Sequence, residues 1–406
     1  MQLKMDGKME VLANEIGGFL GNSSWIRRMF EAGIELKKQY GADNVYDFSI
    51  GNPDLPPPMS VKETMTKISE KIDQPFALGY MPNAGYPEVR AKLAAHLSAE
   101  QGVQLLDKHV VMSCGAAGGI NAFFRAVLNP GEEVVVPAPY FVEYGFYVGN
   151  FGGKLVPVKA KDFTFELDLA AIESAINEKT RAVIINSPNN PTGQIYSASD
   201  IAMLSEILTV ATKKYGHPIY LIADEPYRFL NFDQVEIPSV LAYYEFSVVI
   251  GSYSKSLSLA GERIGYIAIN PAMRDGDKLI AGLIMTTRIL GFVNAPALAQ
   301  QILLGCLESS VDLNIYGERR DAMAKVLDYA GLEYTLPRGA FYFFPKSPLA
   351  DDMKFIDALV EERVLAVTGR GFGCPGYVRM AFCVDMNIIN RSAESMKRAV
   401  DKVKNC

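Results

Sequence analysis

Six short runs, apolar almost without a break and rich in Val and Ile, constrain this chain more than any other feature. They fall at residues 109–113, 133–137, 182–186, 219–223, 247–251 and 264–269. A run without polar alternation must be covered on both faces, as in a parallel sheet flanked by helices. Helical patterns at 119–128, 169–176 and 199–212 lie between the runs. Strand and helix in alternation predict a mostly parallel α/β sheet joined by crossovers.

The pattern changes near Pro271. Helices are predicted at 278–290 and 297–329, then strands at 333–336 and 340–344, broken by Pro337, Arg338 and Gly339. A helix at 353–362, a strand at 365–368, a glycine-rich turn (Gly369, Gly371, Gly373, Gly376), a strand at 377–383 and a helix at 392–404 complete a separate α+β unit. Residues 22–41 read as a helix and 45–49 as a strand. If they pack on the C-terminal unit, the smaller domain is discontinuous. Pro56, Pro57 and Pro58 mark a rigid extended connection out of that region. A chain of 406 residues exceeds one modest core. The expected division is an N-terminal arm and part of the small domain over 1–49, a large domain over 50–285, and the rest of the small domain over 286–406.

Charge narrows the function. A net charge of -6 with no long basic run offers no footprint for nucleic acid. Five scattered cysteines, odd in number, suit a reducing compartment more than a disulfide scaffold. Asp6, Glu10 and Glu15 interrupt the stretch where a signal peptide would need apolar residues, and no apolar run is long enough to span a bilayer. Cytoplasmic residence, with no membrane partner, is the expectation. His96, His109 and His217 lie far apart and form no HExxH, so no histidine-rich metal site is expected.

Chemistry-bearing residues gather where the predicted strands end, the edge of an open α/β sheet at which ligands bind. The run 219–223 leads into Asp224, Glu225, Pro226 and Tyr227, and the next into Ser252, Tyr253, Ser254 and Lys255, with Arg263 eight residues on. A carboxylate there can cap a helix or hold a metal, and an isolated lysine is ordinarily a solvated surface residue. Together with Asn190, these residues compose a cationic pocket for an anionic, nitrogen-containing ligand. The stretch 186–193, NSPNNPTG, has the composition of a tight loop, and its Asn190 amide can also donate to a ring oxygen. The stretch 113–119, SCGAAGG, joins a strand to a helix whose first turn offers unpaired N–H groups to a phosphate. It matches neither GxGxxG nor GxxxxGK[ST], so no nucleotide motif is present. Cys114, beside this turn, and Cys374 read as small buried residues.

Four segments in one order, NSPNNPTG (186–193), ADEPYR (223–228), SYSKSLSLAGERIGY (252–266) and YVRMAFC (377–383), resemble the fold-type I pyridoxal-phosphate aminotransferases, the aspartate aminotransferase-like class, across residues 20–405. The resemblance implies a large, mostly parallel-sheet domain with a smaller, discontinuous α+β domain. It also implies pyridoxal 5'-phosphate and ping-pong transfer of an amino group from an L-amino acid to a 2-oxo acid. On it, Lys255 matches the Schiff-base lysine, Asp224 the carboxylate facing the pyridine nitrogen, and Asn190 and Tyr227 the donors to the phenolic oxygen. Ser252, Arg263 and the backbone of Ala116 and Ala117 match phosphate ligands, and Phe141 the ring that stacks on the pyridine. Lys255, Asp224 and Tyr227 form the implied catalytic set. Arg379 matches the clamp for the substrate carboxylate, joined by Asn190 and by Gly51 of the segment over the substrate.

Tyr80 matches a tyrosine that reaches the cofactor of the partner subunit, implying a homodimer with shared sites. A second cation for a dicarboxylate substrate has four candidates, Arg27, Arg28, Arg288 and Arg338, and residues 23–27 are a candidate lid. Two other outcomes use the same scaffold: a β-elimination or carbon–sulfur lyase, which begins with the same carbanion, and a nonenzymatic regulator that binds the cofactor.

Overall fold

The apolar runs pair with one another into one buried seven-stranded sheet. The computed structural model describes residues 11–21 and 25–405. In spatial order the strands are Val110–Ser113, Gly265–Ile269, Ser247–Ser252, Tyr220–Asp224, Thr180–Asn186, Glu133–Ala138 and Lys154–Lys159. All neighbours are parallel except Gly265–Ile269, which is antiparallel to both of its neighbours. Val183, Ile184, Leu221, Ile222, Val248 and Val249 are fully buried. Each such side chain contributes roughly 1.5–3 kcal/mol by leaving water.

The second unit is discontinuous. Tyr46–Asp47 pairs in parallel with Val364–Leu365, Tyr46 opposite Val364 and Asp47 opposite Leu365. Beside them stands an antiparallel sheet in the order Val367–Thr368, Val378–Ala381, Tyr342–Phe343. Phe48, from the N-terminal part, shares one core with Tyr316, Phe341, Phe355, Phe382 and Met396. Two segments some three hundred residues apart thus bury one apolar interior.

Local departures from the sequence reading each have a physical cause. Lys154–Lys159 is a strand that the apolar runs do not reveal, because it lies at the sheet edge, is mostly exposed or half-buried, and contains Pro157. The predicted helix 297–329 is two helices, Ala297–Cys306 and Leu313–Ala330. Between them Asp312 caps the second helix by accepting from the Asn314 amide, and the Val311 amide donates to the Ser256 carbonyl. Residues 333–336 form no strand; the Glu333 carbonyl accepts from the Lys346 amide and the segment joins no sheet. Helices Met59–Ser69 and Pro87–Gln101 carry weaker signals: the first buries only Val61, and the second is announced mainly by proline in its first turn. The core of the sheet unit continues past residue 285 to Leu307, because Ala299, Ile302, Leu303 and Cys306 of helix Ala297–Cys306 pack into it, while the other core begins at Val311 in this part of the chain.

Candidate active site

Strands Ser247–Ser252, Tyr220–Asp224, Thr180–Asn186 and Glu133–Ala138 all end at the same edge of the sheet, where Val110–Ser113 also hands over to helix Gly115–Val127. A cavity of about 400 Å³ opens there. Lys255, Asp224, Tyr227, Asn190, Ser252, Arg263, Ala116, Ala117, Phe141, Gly51 and Arg379 all line it. Tyr80 does not; its side chain stands 92% exposed on the surface.

Asp224 is buried at the end of its strand. One carboxylate oxygen, Oδ2, accepts from the Tyr144 hydroxyl at 2.5 Å, and its backbone carbonyl accepts from Asn186 Nδ2 at 2.7 Å. The other oxygen, Oδ1, is buried with no partner. Burial pushes the carboxyl up to about 7; the Tyr144 hydrogen bond opposes this, and the neighbouring Glu225 adds to it. A buried acceptor without a donor carries its desolvation cost unopposed, so this site suits a ligand bearing an N–H. Replacing Tyr144 by phenylalanine removes a donor to the charged form. Its expected effect is an upward move of about one pH unit in the acidic limb of the rate profile; an unmoved limb would show that the hydroxyl does not hold the carboxylate.

Lys255 Nζ donates to the Gly51 carbonyl at 2.8 Å and lies 5.6 Å from the centre of the Phe341 ring. Burial, chiefly, lowers its pKa to about 8; Arg379 and Arg263 push it the same way, against Cys383. Gly51 is required to be glycine by close approach, because a Cβ there would stand 2.0 Å from the Tyr342 hydroxyl. That hydroxyl also hydrogen-bonds the Tyr227 hydroxyl at 2.8 Å.

Arg379, on strand Val378–Ala381, is buried between two rings, 4.8 Å from that of Tyr342 and 4.9 Å from that of Phe372. One terminal nitrogen donates to the Ser49 carbonyl at 2.6 Å and the other to Asn190 Oδ1 at 3.3 Å, while Nε has no partner. Asn190 is in turn fixed by its own amide, which donates to Asn186 Oδ1 at 2.7 Å. The guanidinium is held flat and faces the cavity, the arrangement that grips a carboxylate directionally.

Another part of the cavity lining suits an anion. Helix Gly115–Val127 begins without a side-chain cap, which leaves the first-turn amides, those of Ala116 and Ala117 among them, free of a capping oxygen. Gly115 has φ +68°, and a Cβ there would come within 2.6 Å of the Arg263 guanidinium. Arg263 itself adopts φ 52° and donates to the Ala260 carbonyl at 2.9 Å, and Ser252 and Ser254 complete this wall. Cys114 is half-buried and burial pushes its thiol up, as expected of an unreactive cysteine.

Tyr144, Tyr147, Glu143 and Tyr342 belong to the site's surroundings but were not singled out from the sequence. The signal available was the aromatic density of 140–147, YFVEYGFY, directly after a strand. Arg288 and Arg338 are exposed and do not line the cavity. Residues 23 and 24 of the candidate lid and the side chains of 25–28, Arg27 and Arg28 among them, lie outside what is described, while residues 25–27 open helix Trp25–Tyr40. Among the described residues no group of three or more His, Cys, Asp or Glu side chains could hold a metal ion, and no helix is long and apolar enough to cross a membrane.

Comparison with known proteins shows the family and the fold. The family model described as aminotransferase class I and II matches residues 43–396. A probable aspartate/prephenate aminotransferase of Aquifex aeolicus is 29% identical, over 89% of this chain and 92% of its own length. An aspartate aminotransferase of Pyrococcus abyssi is 30% identical, over 95% of this chain and 97% of its own. Among solved structures, an aminotransferase from Eubacterium rectale superposes with a TM-score of 0.91 at 40% identity, covering 96% of this chain and 99% of that one. The aspartate aminotransferase of Thermus thermophilus with maleate gives 0.86 at 25% identity, covering 96% and 100%. The chain belongs to the aminotransferase class I and II family, with the fold-type I, aspartate aminotransferase-like architecture of a pyridoxal-phosphate enzyme.

Proposed function

We propose that the chain binds pyridoxal 5'-phosphate and transfers an amino group from an L-amino acid to a 2-oxo acid in a ping-pong cycle. One observation carries the reading: an amine of lowered pKa, a buried carboxylate oxygen without a donor, and a buried arginine share one cavity that is also lined by the first turn of an uncapped helix and by a second arginine. The residues fit the cofactor. Lys255 would hold its aldehyde carbon, Asp224 Oδ1 its ring nitrogen, Asn190 and Tyr227 its phenolic oxygen, and Phe141 its ring face. Ser252, Arg263 and the Ala116 and Ala117 amides would hold its phosphate. When bound, the cofactor supplies an electron sink that weakens the bonds at the substrate α-carbon.

The chain's own residues supply the rest. Asp224, when charged, keeps a proton on the ring nitrogen. Arg379 grips the substrate carboxylate and so sets the direction of the Cα–H bond. Lys255, its pKa near 8, takes and returns that proton at physiological pH. Gly51 O keeps the amine inside the cavity when it is not otherwise bonded.

The test is a matrix of amino donors against pyruvate, 2-oxoglutarate and oxaloacetate, preceded by single turnovers with donor alone. A transaminase retains the amine and needs an acceptor to turn over. Release of ammonia with a 2-oxo acid from the donor alone would establish a lyase, and no reaction with any donor would support the nonenzymatic regulator.

The exposed Tyr80 motivates a homodimer whose sites are completed across the two-fold axis. Sedimentation is expected to show a dimer at assay concentration, with Tyr80→Phe weakening cofactor retention by about tenfold. A fully active monomer would overturn the shared site.

A further inference from the structure

The segment from Asp47 to Asp54 contributes Ile50 and Gly51 to the cavity lining, and two of its carbonyls hold groups that the proposed chemistry uses. Ser49 O accepts from Arg379 at 2.6 Å, Ile50 O lies 3.8 Å from the Cys383 sulfur, and Gly51 O accepts from Lys255 at 2.8 Å. A one-residue slip of this strap would therefore disturb the carboxylate clamp and the proton carrier together. Its first end is secured by the pairing of Tyr46–Asp47 with Val364–Leu365, and by Asp47 Oδ1, which accepts from the Ser49 amide at 3.1 Å and from its hydroxyl at 2.6 Å. Its second end is secured by one contact of a different kind. Arg319, buried on helix Leu313–Ala330, meets Asp54 in a fork: NH1 to Oδ1 at 2.6 Å and NH2 to Oδ2 at 2.8 Å. The guanidinium also lies 5.6 Å from the centre of the Tyr316 ring.

We propose that the Asp54–Arg319 pair is a positioning latch, which holds the strap so that Ser49 O and Gly51 O keep Arg379 and Lys255 aimed into the cavity. Neither residue of the pair lines the cavity, so its effect passes through the strap. A two-pronged contact fixes orientation as well as distance, which a lysine at 319 cannot reproduce. This inference rests on the roles proposed above for Arg379 and Lys255.

The experiment uses the loaded enzyme carrying Arg319→Lys or Asp54→Asn, with Arg320→Gln as control. Arg320, the next residue on the same helix, pairs with Asp233 and Asp321, neither of them in the strap. Two quantities are read: the kcat and KM of transamination, and the affinity for the unreactive carboxylate isovalerate, titrated through the absorbance of the bound cofactor. Both latch variants are expected to weaken isovalerate about tenfold and to lower kcat/KM about 100-fold, because a displacement of about 1 Å in a positioning group has that scale of effect. Retention of the cofactor on dialysis should stay at the wild-type level, since the strap does not hold it.

If one variant fails to fold, the other carries the same comparison. Variants that lose only thermal stability, with isovalerate affinity, kcat and KM within about twofold of the control, would overturn the latch. A wild-type enzyme that transaminates no donor would instead defeat the proposed function, and the isovalerate titration would still report on the latch.

Discussion

Replacing Lys255 by alanine will abolish turnover and, at pH 7, make the cofactor-free chain harder to unfold. Turnover is expected to fall by about 10⁴-fold or more, because one side chain serves both as attachment point and as proton carrier. The gain in stability comes from the same burial that prepares the amine. Its folded pKa lies near 8 against 10.5 for an ordinary lysine, so the folded chain resists carrying this charge. Below pH 8 both folded and unfolded chains are protonated and the full cost is present, on the order of 2 kcal/mol once partial exposure is allowed for. As pH rises from 8 towards 10.5 the folded amine loses its proton first, so the cost shrinks and wild type and variant converge. Urea titrations at pH 7 and pH 10.5 check this. A variant less stable than wild type at pH 7, or a difference that grows with pH, would show that the amine is not held against its charge.

Asp224→Asn should lower kcat about 10³-fold or more while leaving cofactor binding within about tenfold, because the amide preserves the packing and an acceptor for Tyr144 but cannot hold a proton on a ring nitrogen. Its stability signature lies in the opposite pH window. The folded carboxyl is raised to about 7 from 3.8, so the cost of burying its charge is fully present above pH 7 and fades as pH falls from 7 towards 4. The cofactor-free variant should therefore exceed wild type most at pH 8, on the order of 2–4 kcal/mol, and converge with it near pH 4. Equal stability at pH 8 would mean that Asp224 is already charged at little cost, and the argument from its unpartnered oxygen would fall. The cofactor-free site thus bears two costs, a buried amine and a buried carboxylate, each relieved when a ligand of the right charge pattern enters.

Part of this site was legible in the chain because its residues sit at strand ends, while Phe141, Gly51 and Arg379 were expected only from the family resemblance. Asp224, Ser252 and Asn190 follow runs whose uninterrupted apolar character identifies them as central strands, and eleven of the twelve residues expected at the site line one cavity. Tyr144 was not legible. Its hydroxyl matters only because helix Tyr144–Gly149 brings it to Asp224, eighty residues away in sequence, and an aromatic residue in an aromatic-rich stretch signals core packing just as well. Arg319 is a similar case: among four charged residues of helix Leu313–Ala330 in succession, Glu318, Arg319, Arg320 and Asp321, nothing local distinguishes the one that is buried.

The order of apolar runs and glycine- or proline-rich loops by itself determined that the chain forms a mostly parallel α/β sheet, where that sheet ends, and that the Lys255 amine, the Asp224 carboxylate and Arg263 stand at its edge. Those features are local, set by backbone preference and by the burial each segment needs. Tertiary structure alone decided which oxygen of Asp224 is left without a donor, which carbonyls hold Arg379 and Lys255, and which ion pair secures the strap between them. These are contacts between segments up to some three hundred residues apart, and their geometry exists only once two cores have closed around them.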